Sequence, residues 1–96
     1  MRKYETMLIG RPDLDDDQFK ALVDELSALI VKEGGSVTGV DVWGLRRLEY
    51  PIDHQESGRY AVLSHDSEAT AIKELERVAS IKDEVLRVKT FVRGSK

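Results

Sequence analysis

The sequence contains no cysteine, so disulfide bonds and thiolate metal sites are excluded. This absence fits a reducing compartment. No long apolar run follows the first residues, MRKYE, and we therefore expect neither a signal peptide nor a membrane span. On these grounds the expected location is the cytoplasm.

Motifs for catalysis and metal binding are also scarce. The chain has no glycine-rich phosphate loop and no nucleophile elbow. His54 and His65 have no neighbours at metal-ligand spacing, and we interpret both as ordinary surface histidines. The aspartates of residues 13–17 imitate the opening of a calcium loop, but Gln18 stands where that loop requires glycine. We therefore expect no metal and no cofactor, and catalysis is the weaker class of hypothesis.

The composition is that of a small globular protein with an uneven distribution of charge. Of its 96 residues, 41% are hydrophobic and 34% are charged, and the formal net charge is −3. Residues 13–33 hold seven acidic and two basic side chains, whereas residues 84–96 hold one acidic and four basic side chains. A basic face can bind phosphate groups even when the whole chain is acidic. We expect one domain over residues 1–93 and a short tail over residues 94–96.

Alternation of apolar and polar residues predicts four strands, the second and third of which form a hairpin. The second strand is expected to be broken or bulged near Gly44. The strands cover residues 2–10, 37–52, 59–65 and 85–93, with a polar loop over residues 54–58 inside the hairpin.

Apolar residues at helical spacing predict two helices between the strands. The first helix starts near Asp15, an N-cap residue with Gln18 as its capping-box partner, and ends at residues 34–35, a glycine pair. Ser67 can cap the second helix. The order strand–helix–strand–strand–helix–strand predicts an α+β fold, a ferredoxin-like split βαβ sandwich (βαββαβ). Its four-stranded antiparallel sheet would carry both helices on one face and leave the other face open.

Residues 44–52, GLRRLEYPI, form the most informative stretch of the chain. A strand with a purely structural role has little use for two adjacent arginines. Adjacent strand residues point to opposite faces of a sheet, unless a bulge at Gly44 re-aims them. At least one of Arg46 and Arg47 is therefore available to a partner outside the fold.

Six basic side chains lie on the predicted strands and not on the helices. They are Arg46, Arg47, Arg59, Arg87, Lys89 and Arg93. Trp43 and Tyr60 are interleaved with them in the hairpin. Guanidinium groups bind phosphates in bidentate fashion, and aromatic rings stack on splayed bases. The open sheet face is therefore a candidate RNA surface, although residues 58–62, GRYAV, do not match the pattern of the RNA-recognition motif.

Several short segments, in the same order along nearly the whole chain, resemble the bacterial ribosomal protein S6 family, the sixth protein of the small ribosomal subunit. The most specific segment is residues 44–52, with Gly44, Leu45, Arg46, Arg47, Leu48, Tyr50 and Ile52. The others are residues 2–5 (RKYE), Gly58 with Tyr60, residues 74–77 (ELER) and residues 83–87 (DEVLR). Two residues depart from the family pattern: Glu49 and Asp53 add negative charge beside the arginines.

This resemblance implies a structural, non-enzymatic component of the small ribosomal subunit. Such a protein binds the central domain of small-subunit ribosomal RNA together with ribosomal protein S18, as a heterodimer. A basic partner would then supply much of the phosphate neutralisation that an acidic chain lacks. The implied location is the cytoplasmic ribosome, with no membrane and no small-molecule substrate. Carried over residue by residue, contact with RNA or partner falls on Arg2, Lys3, Arg46, Arg47, Tyr50 and Arg87.

Two other functions of the same sandwich are open to test. One is a small-ligand-binding regulatory module that acts as a homodimer, and the other is an acyl-phosphate hydrolase. The ligand module needs a glycine-lined loop after the first strand, and the hydrolase needs a phosphate-cradling loop there. Residues 11–13, RPD, occupy this position and argue against both. Size in solution separates a homodimer from a monomer that awaits RNA and partner.

Overall fold

The computed structural model describes residues 1–52 and 54–93, so Asp53 and the expected tail over residues 94–96 lie outside it. Six elements follow one another along the chain. They are β1 (Arg2–Gly10), α1 (Asp16–Lys32), β2 (Ser36–Ile52), β3 (Gln55–Ser67), α2 (Ala69–Ser80) and β4 (Val85–Val92). The strands form one antiparallel sheet in the order β2-β3-β1-β4. The predicted ferredoxin-like βαββαβ fold is confirmed.

The core lies between one face of the sheet and the two helices. Leu8 and Leu63 are fully buried on that face, and Leu26 and Leu75 meet them from α1 and α2. Because side chains alternate along a strand, the neighbours of Leu8 on β1 point to the opposite, open face. Within the described residues, no helix is long and apolar enough to cross a membrane.

The first helix begins as its sequence predicts. The backbone N–H of Gln18 donates to Asp15 Oδ1 at 2.7 Å, and the N–H of Asp15 donates to Gln18 Oε1 at 2.9 Å. This capping box satisfies two of the backbone donors that a helix start leaves without partners. Gly34, at φ +91°, follows the helix end in a conformation that favours glycine.

The predicted cap of the second helix is wrong. β3 continues through Ser67, and Glu68 is the N-cap without a side-chain hydrogen bond. Ser67 is buried, and its hydroxyl lies 2.8 Å from His65 Nδ1. The hydroxyl is therefore engaged by a histidine ring instead of by the helix backbone.

The prediction that His65 is a surface residue is also wrong. Its side chain is 1% exposed, lies on the helix-covered face and stacks on Tyr4 at 5.9 Å between ring centroids. Its Nε2 lies 2.8 Å from the hydroxyl of Thr6, which lies 3.0 Å from the hydroxyl of Thr90. Burial lowers the pKa of His65, and the negative charge of Asp66 opposes that shift. Both ring nitrogens therefore have a hydroxyl partner.

The β2–β3 hairpin is longer than its sequence pattern indicates. The predicted loop over residues 54–58 is mostly strand, because β3 already begins at Gln55 and Arg46 pairs with Gly58. The predicted bulge near Gly44 is present: the register shifts between Val42 and Gly44, and Gly44 adopts φ +85°. The hairpin therefore extends past the end of β1, which pairs with β3 only as far as Arg59.

Candidate nucleic-acid interface

The extended hairpin folds over the open face of the sheet. Ile9 on that face is only 5% exposed and Leu48 on the hairpin 7%, and both line one pocket. Gly58 allows this close approach: a Cβ there would lie 2.6 Å from Ile9 Cγ2 and 3.1 Å from the Gly10 carbonyl oxygen. The absence of a side chain at residue 58 therefore permits the hairpin to pack on β1.

A hydrogen bond joins the hairpin to the far edge of the sheet. Arg87 Nη1 donates to the hydroxyl oxygen of Tyr50 at 3.1 Å. Tyr50 lies on β2 and Arg87 on β4, which are the two outer strands of the sheet. The contact therefore bridges the open face and brings together two residues that the sequence predicts as contacts.

Arg46 and Arg47 are both exposed near the hairpin end. Among the described residues, Arg46 Nη1 donates only to the carbonyl oxygen of Leu45, at a long 3.4 Å. Arg47 lines a shallow groove with Glu49 and Glu56. Within residues 1–52 and 54–93, neither guanidinium takes part in an ion pair. Both are therefore available to an external anion.

Two other arginines that were predicted on the strands, Arg59 and Arg93, already have acidic partners inside the chain. Arg59 donates to Asp16 at 2.7 Å and to the backbone oxygen of Leu14, with its side chain 18% exposed. It thus holds the start of α1, on the helix side of the sheet. Arg93 lies 3.6 Å from Glu5 across the open face. Of the six basic side chains predicted on the strands, Arg59 therefore does not belong to the open face.

The predicted contact residues Arg2 and Lys3 lie at the opposite end of the sheet from the hairpin. They pair with Ser67 and Asp66 at the end of β3, while the hairpin extends from the start of β3. Both are exposed, and Lys3 lines a polar groove that also includes Asp66 and Arg93. Of the six predicted residues, Arg46, Arg47 and Tyr50 therefore lie on the hairpin with Arg87 bonded to it from β4, and Arg2 and Lys3 lie at the other end.

Aromatic side chains occupy the open face between these groups. Trp43 and Tyr60 stack almost in parallel, with ring centroids 5.9 Å apart and an angle of 5°. The indole N–H of Trp43 donates to Asp41 at 3.0 Å. Phe91, with 48% of its surface exposed, was missed as a contact candidate. The alternation of β4 carries the signal, because it places Phe91 on the same face as Arg87 and Lys89.

A pocket of about 200 Å³ lies where hairpin, β1, β3 and β4 meet. Apolar and aromatic side chains form most of it, and Arg87, Lys89 and Glu49 supply its charges. Its apolar and aromatic lining is Met7, Ile9, Leu48, Tyr50, Ile52, Tyr60 and Phe91. No group of three or more histidine, aspartate or glutamate side chains in the described part of the chain could hold a metal ion. The aromatic side chains of the pocket can stack on a planar ligand, and Arg87 and Lys89 can bind an anion.

Known proteins that resemble this chain in sequence and in structure belong to one family. The family model described as Ribosomal protein S6 matches residues 3–92. The small ribosomal subunit protein bS6 of Caldanaerobacter subterraneus is 44% identical over 87 residues, which are 91% of this chain and 92% of the relative. The bS6 protein of Corynebacterium diphtheriae is 42% identical over 96 residues and covers both chains completely.

A solved structure extends the agreement to the fold. The crystal structure of 30S ribosomal protein S6 from Thermotoga maritima superposes with a TM-score of 0.90 at 28% identity, covering 96% of this chain and 87% of that one. These relatives are named as ribosomal proteins and not as enzymes. The chain therefore belongs to the ribosomal protein S6 family of the small ribosomal subunit.

Proposed function

We propose that this protein is a structural component of the cytoplasmic ribosome that binds the central domain of small-subunit ribosomal RNA as a heterodimer with ribosomal protein S18. The observation that carries the proposal is the bridge between Tyr50 and Arg87. It joins the hairpin to the far edge of the open face, and Arg46 and Arg47 are exposed near the hairpin end.

Electrostatics supports a localised mode of RNA binding. The chain as a whole carries −3, so it does not attract RNA through its net charge. The cations Arg46 and Arg47 are instead neighbours near the hairpin end, and both are exposed. A basic partner would add the phosphate contacts that this chain lacks, which is the role we assign to ribosomal protein S18.

The alternative of a small-ligand module has less support. The loop after β1 is not lined by glycine, and Arg11 and Asp13 close it with two hydrogen bonds of 3.1 and 2.8 Å. The named relatives are ribosomal proteins, which favours the RNA-binding function over a ligand sensor or a hydrolase.

The decisive test replaces Arg46 and Arg47 together with alanine. The complex with ribosomal protein S18 should bind a central-domain RNA fragment at least about tenfold more weakly near physiological salt. Two lost phosphate contacts should also flatten the plot of log affinity against log salt by about 1.4 to 1.8. Filter binding across a salt series measures both quantities.

A matched control removes two exposed charges from the helices, Lys32→Ala with Lys73→Ala. This variant loses the same formal charge but should keep the RNA affinity and the salt slope. If the arginine variant binds RNA like the unmodified protein, or if the control loses as much affinity, the hairpin is not the RNA contact.

A further inference from the structure

We propose that the pocket beneath the hairpin receives one unstacked nucleotide of the RNA, with its base on the aromatic lining and its phosphate at Arg87 and Lys89. This inference rests on the proposed function and goes beyond it, because it assigns a ligand class to a defined cavity.

The interior of the pocket suits a base. Tyr60 and Phe91 contribute aromatic rings from β3 and β4, and the hairpin adds Tyr50 on the other side. Bases stack on such rings whatever their sequence, because every base has a π-face. Ile9 and Leu48, both nearly buried, give the pocket an apolar inner wall.

The charges at the pocket suit a phosphate. Among the described residues that line the pocket, Arg87 and Lys89 are exposed cations and Glu49 is the one acid. Arg87 uses one N–H for Tyr50, and a guanidinium has five, so several stay available for phosphate oxygens. Lys89 forms no ion pair within residues 1–52 and 54–93. An apolar side chain of a partner protein would leave both cations without an anion, whereas a nucleotide supplies one next to its base.

The size of the pocket limits the ligand to one base. At about 200 Å³ it is smaller than the ~300–1,000 Å³ typical of pockets for drug-sized molecules. A base inside a paired helix cannot reach it, because its faces are covered by neighbouring pairs. The ligand is therefore a bulged or looped-out nucleotide and not a duplex.

Trp43 supplies a fluorescence signal for occupancy. It is the only tryptophan of the chain, and it stacks on Tyr60, which lines the pocket. A base that enters against Tyr60 changes the surroundings of that stack. The emission of Trp43 should therefore shift or be quenched as the pocket fills, whereas phosphate contact at Arg46 and Arg47 alone should leave it unchanged.

The test compares three short RNA hairpins that differ at one position: a bulged adenosine, an abasic site in the same bulge, and a fully paired stem. The complex of the protein with ribosomal protein S18 should bind the bulged hairpin about tenfold more tightly than the other two. Trp43 emission should respond to the bulged hairpin only. Phe91→Ala should remove the preference, whereas Ile81→Ala, which also trims an exposed apolar side chain, should keep it.

Each contrary result is distinct. Equal affinity for all three hairpins, with the Arg46 and Arg47 variant still weakened, overturns the nucleotide pocket and leaves the proposed function intact. A Trp43 response to ribosomal protein S18 that blocks the response to RNA assigns the pocket to the partner and overturns the inference. No binding of any RNA, including the central-domain fragment, overturns the proposed function and the pocket with it.

Discussion

His65 is a titratable residue whose folded environment determines its charge. Both ring nitrogens lie 2.8 Å from hydroxyl oxygens, and burial lowers the pKa of the ring against the opposing charge of Asp66. The unfolded chain therefore binds a proton at a higher pH than the folded chain does. Stability is complete above the unfolded pKa, near 6.5, and declines as the pH falls from there toward the lowered folded pKa.

We expect urea unfolding between pH 7.5 and 5.5 to show this decline, with a slope of at most about 1.4 kcal/mol per pH unit because one proton is involved. His65→Gln should be less stable at pH 7.5 and should lose most of the slope. His54→Gln, at an exposed site, should retain it. A slope that survives in His65→Gln would assign the pH dependence to other groups.

Residues whose partners are distant in sequence are those whose roles the sequence pattern could not predict. Arg59 looked like another cation of the basic strands, but its anion is Asp16, 43 residues earlier. The burial of His65 was also missed, because one of its hydroxyl partners, Thr6, lies 59 residues away in the sequence. Adjacency on one strand predicted that at least one of Arg46 and Arg47 would be available to a partner, and both are exposed. Their role as contacts stays a prediction.

At the scale of elements, periodicity was sufficient for the helices and the strands but not for the path of the hairpin. The capping box of α1 and the bulge at Gly44 involve neighbours in sequence, and both are present as predicted. The folding of the hairpin over the open face brings Gly58 against Ile9, and these two residues are remote in sequence. The pocket of the candidate site is a product of that contact, so the sequence alone did not predict it.

Gly58→Ala tests whether the hairpin depends on this approach. A methyl group would lie 2.6 Å from Ile9 Cγ2, so either the buried isoleucine or the hairpin must move. We expect a loss of about 1–3 kcal/mol in the free energy of unfolding, typical of overpacking. Trp43 fluorescence of the native state should also change.

Gly39→Ala is the matched control, because it lies on the same hairpin and its new methyl group would meet only Ser64 Cβ, at 3.9 Å. It should unfold within about 1 kcal/mol of the unmodified protein, since the glycine-to-alanine change itself is small. Equal stability of the two variants would mean that the hairpin moves without cost, and the pocket would then not be a fixed feature.

At the scale of the whole molecule, charge determines how the exposed edge strand behaves. β2 is an outer strand of 17 residues, a length that invites pairing with another copy. Exposed charges along it, at Asp41, Arg46 and Arg47, oppose such pairing. The net charge of −3 adds repulsion between copies.

We therefore expect the protein alone to sediment as a monomer of 10.8 kDa at micromolar concentration. Addition of ribosomal protein S18 should give one heterodimer. If the basic partner contacts the acidic side of α1, high salt should weaken the heterodimer, because salt screens the attraction between opposite charges. A ligand sensor of the same fold would instead be a homodimer before any partner is added. Sedimentation velocity of the protein alone and with S18 distinguishes these outcomes. A monomer that S18 converts into a single larger species supports the proposed assembly. A stable homodimer that excludes S18 contradicts it.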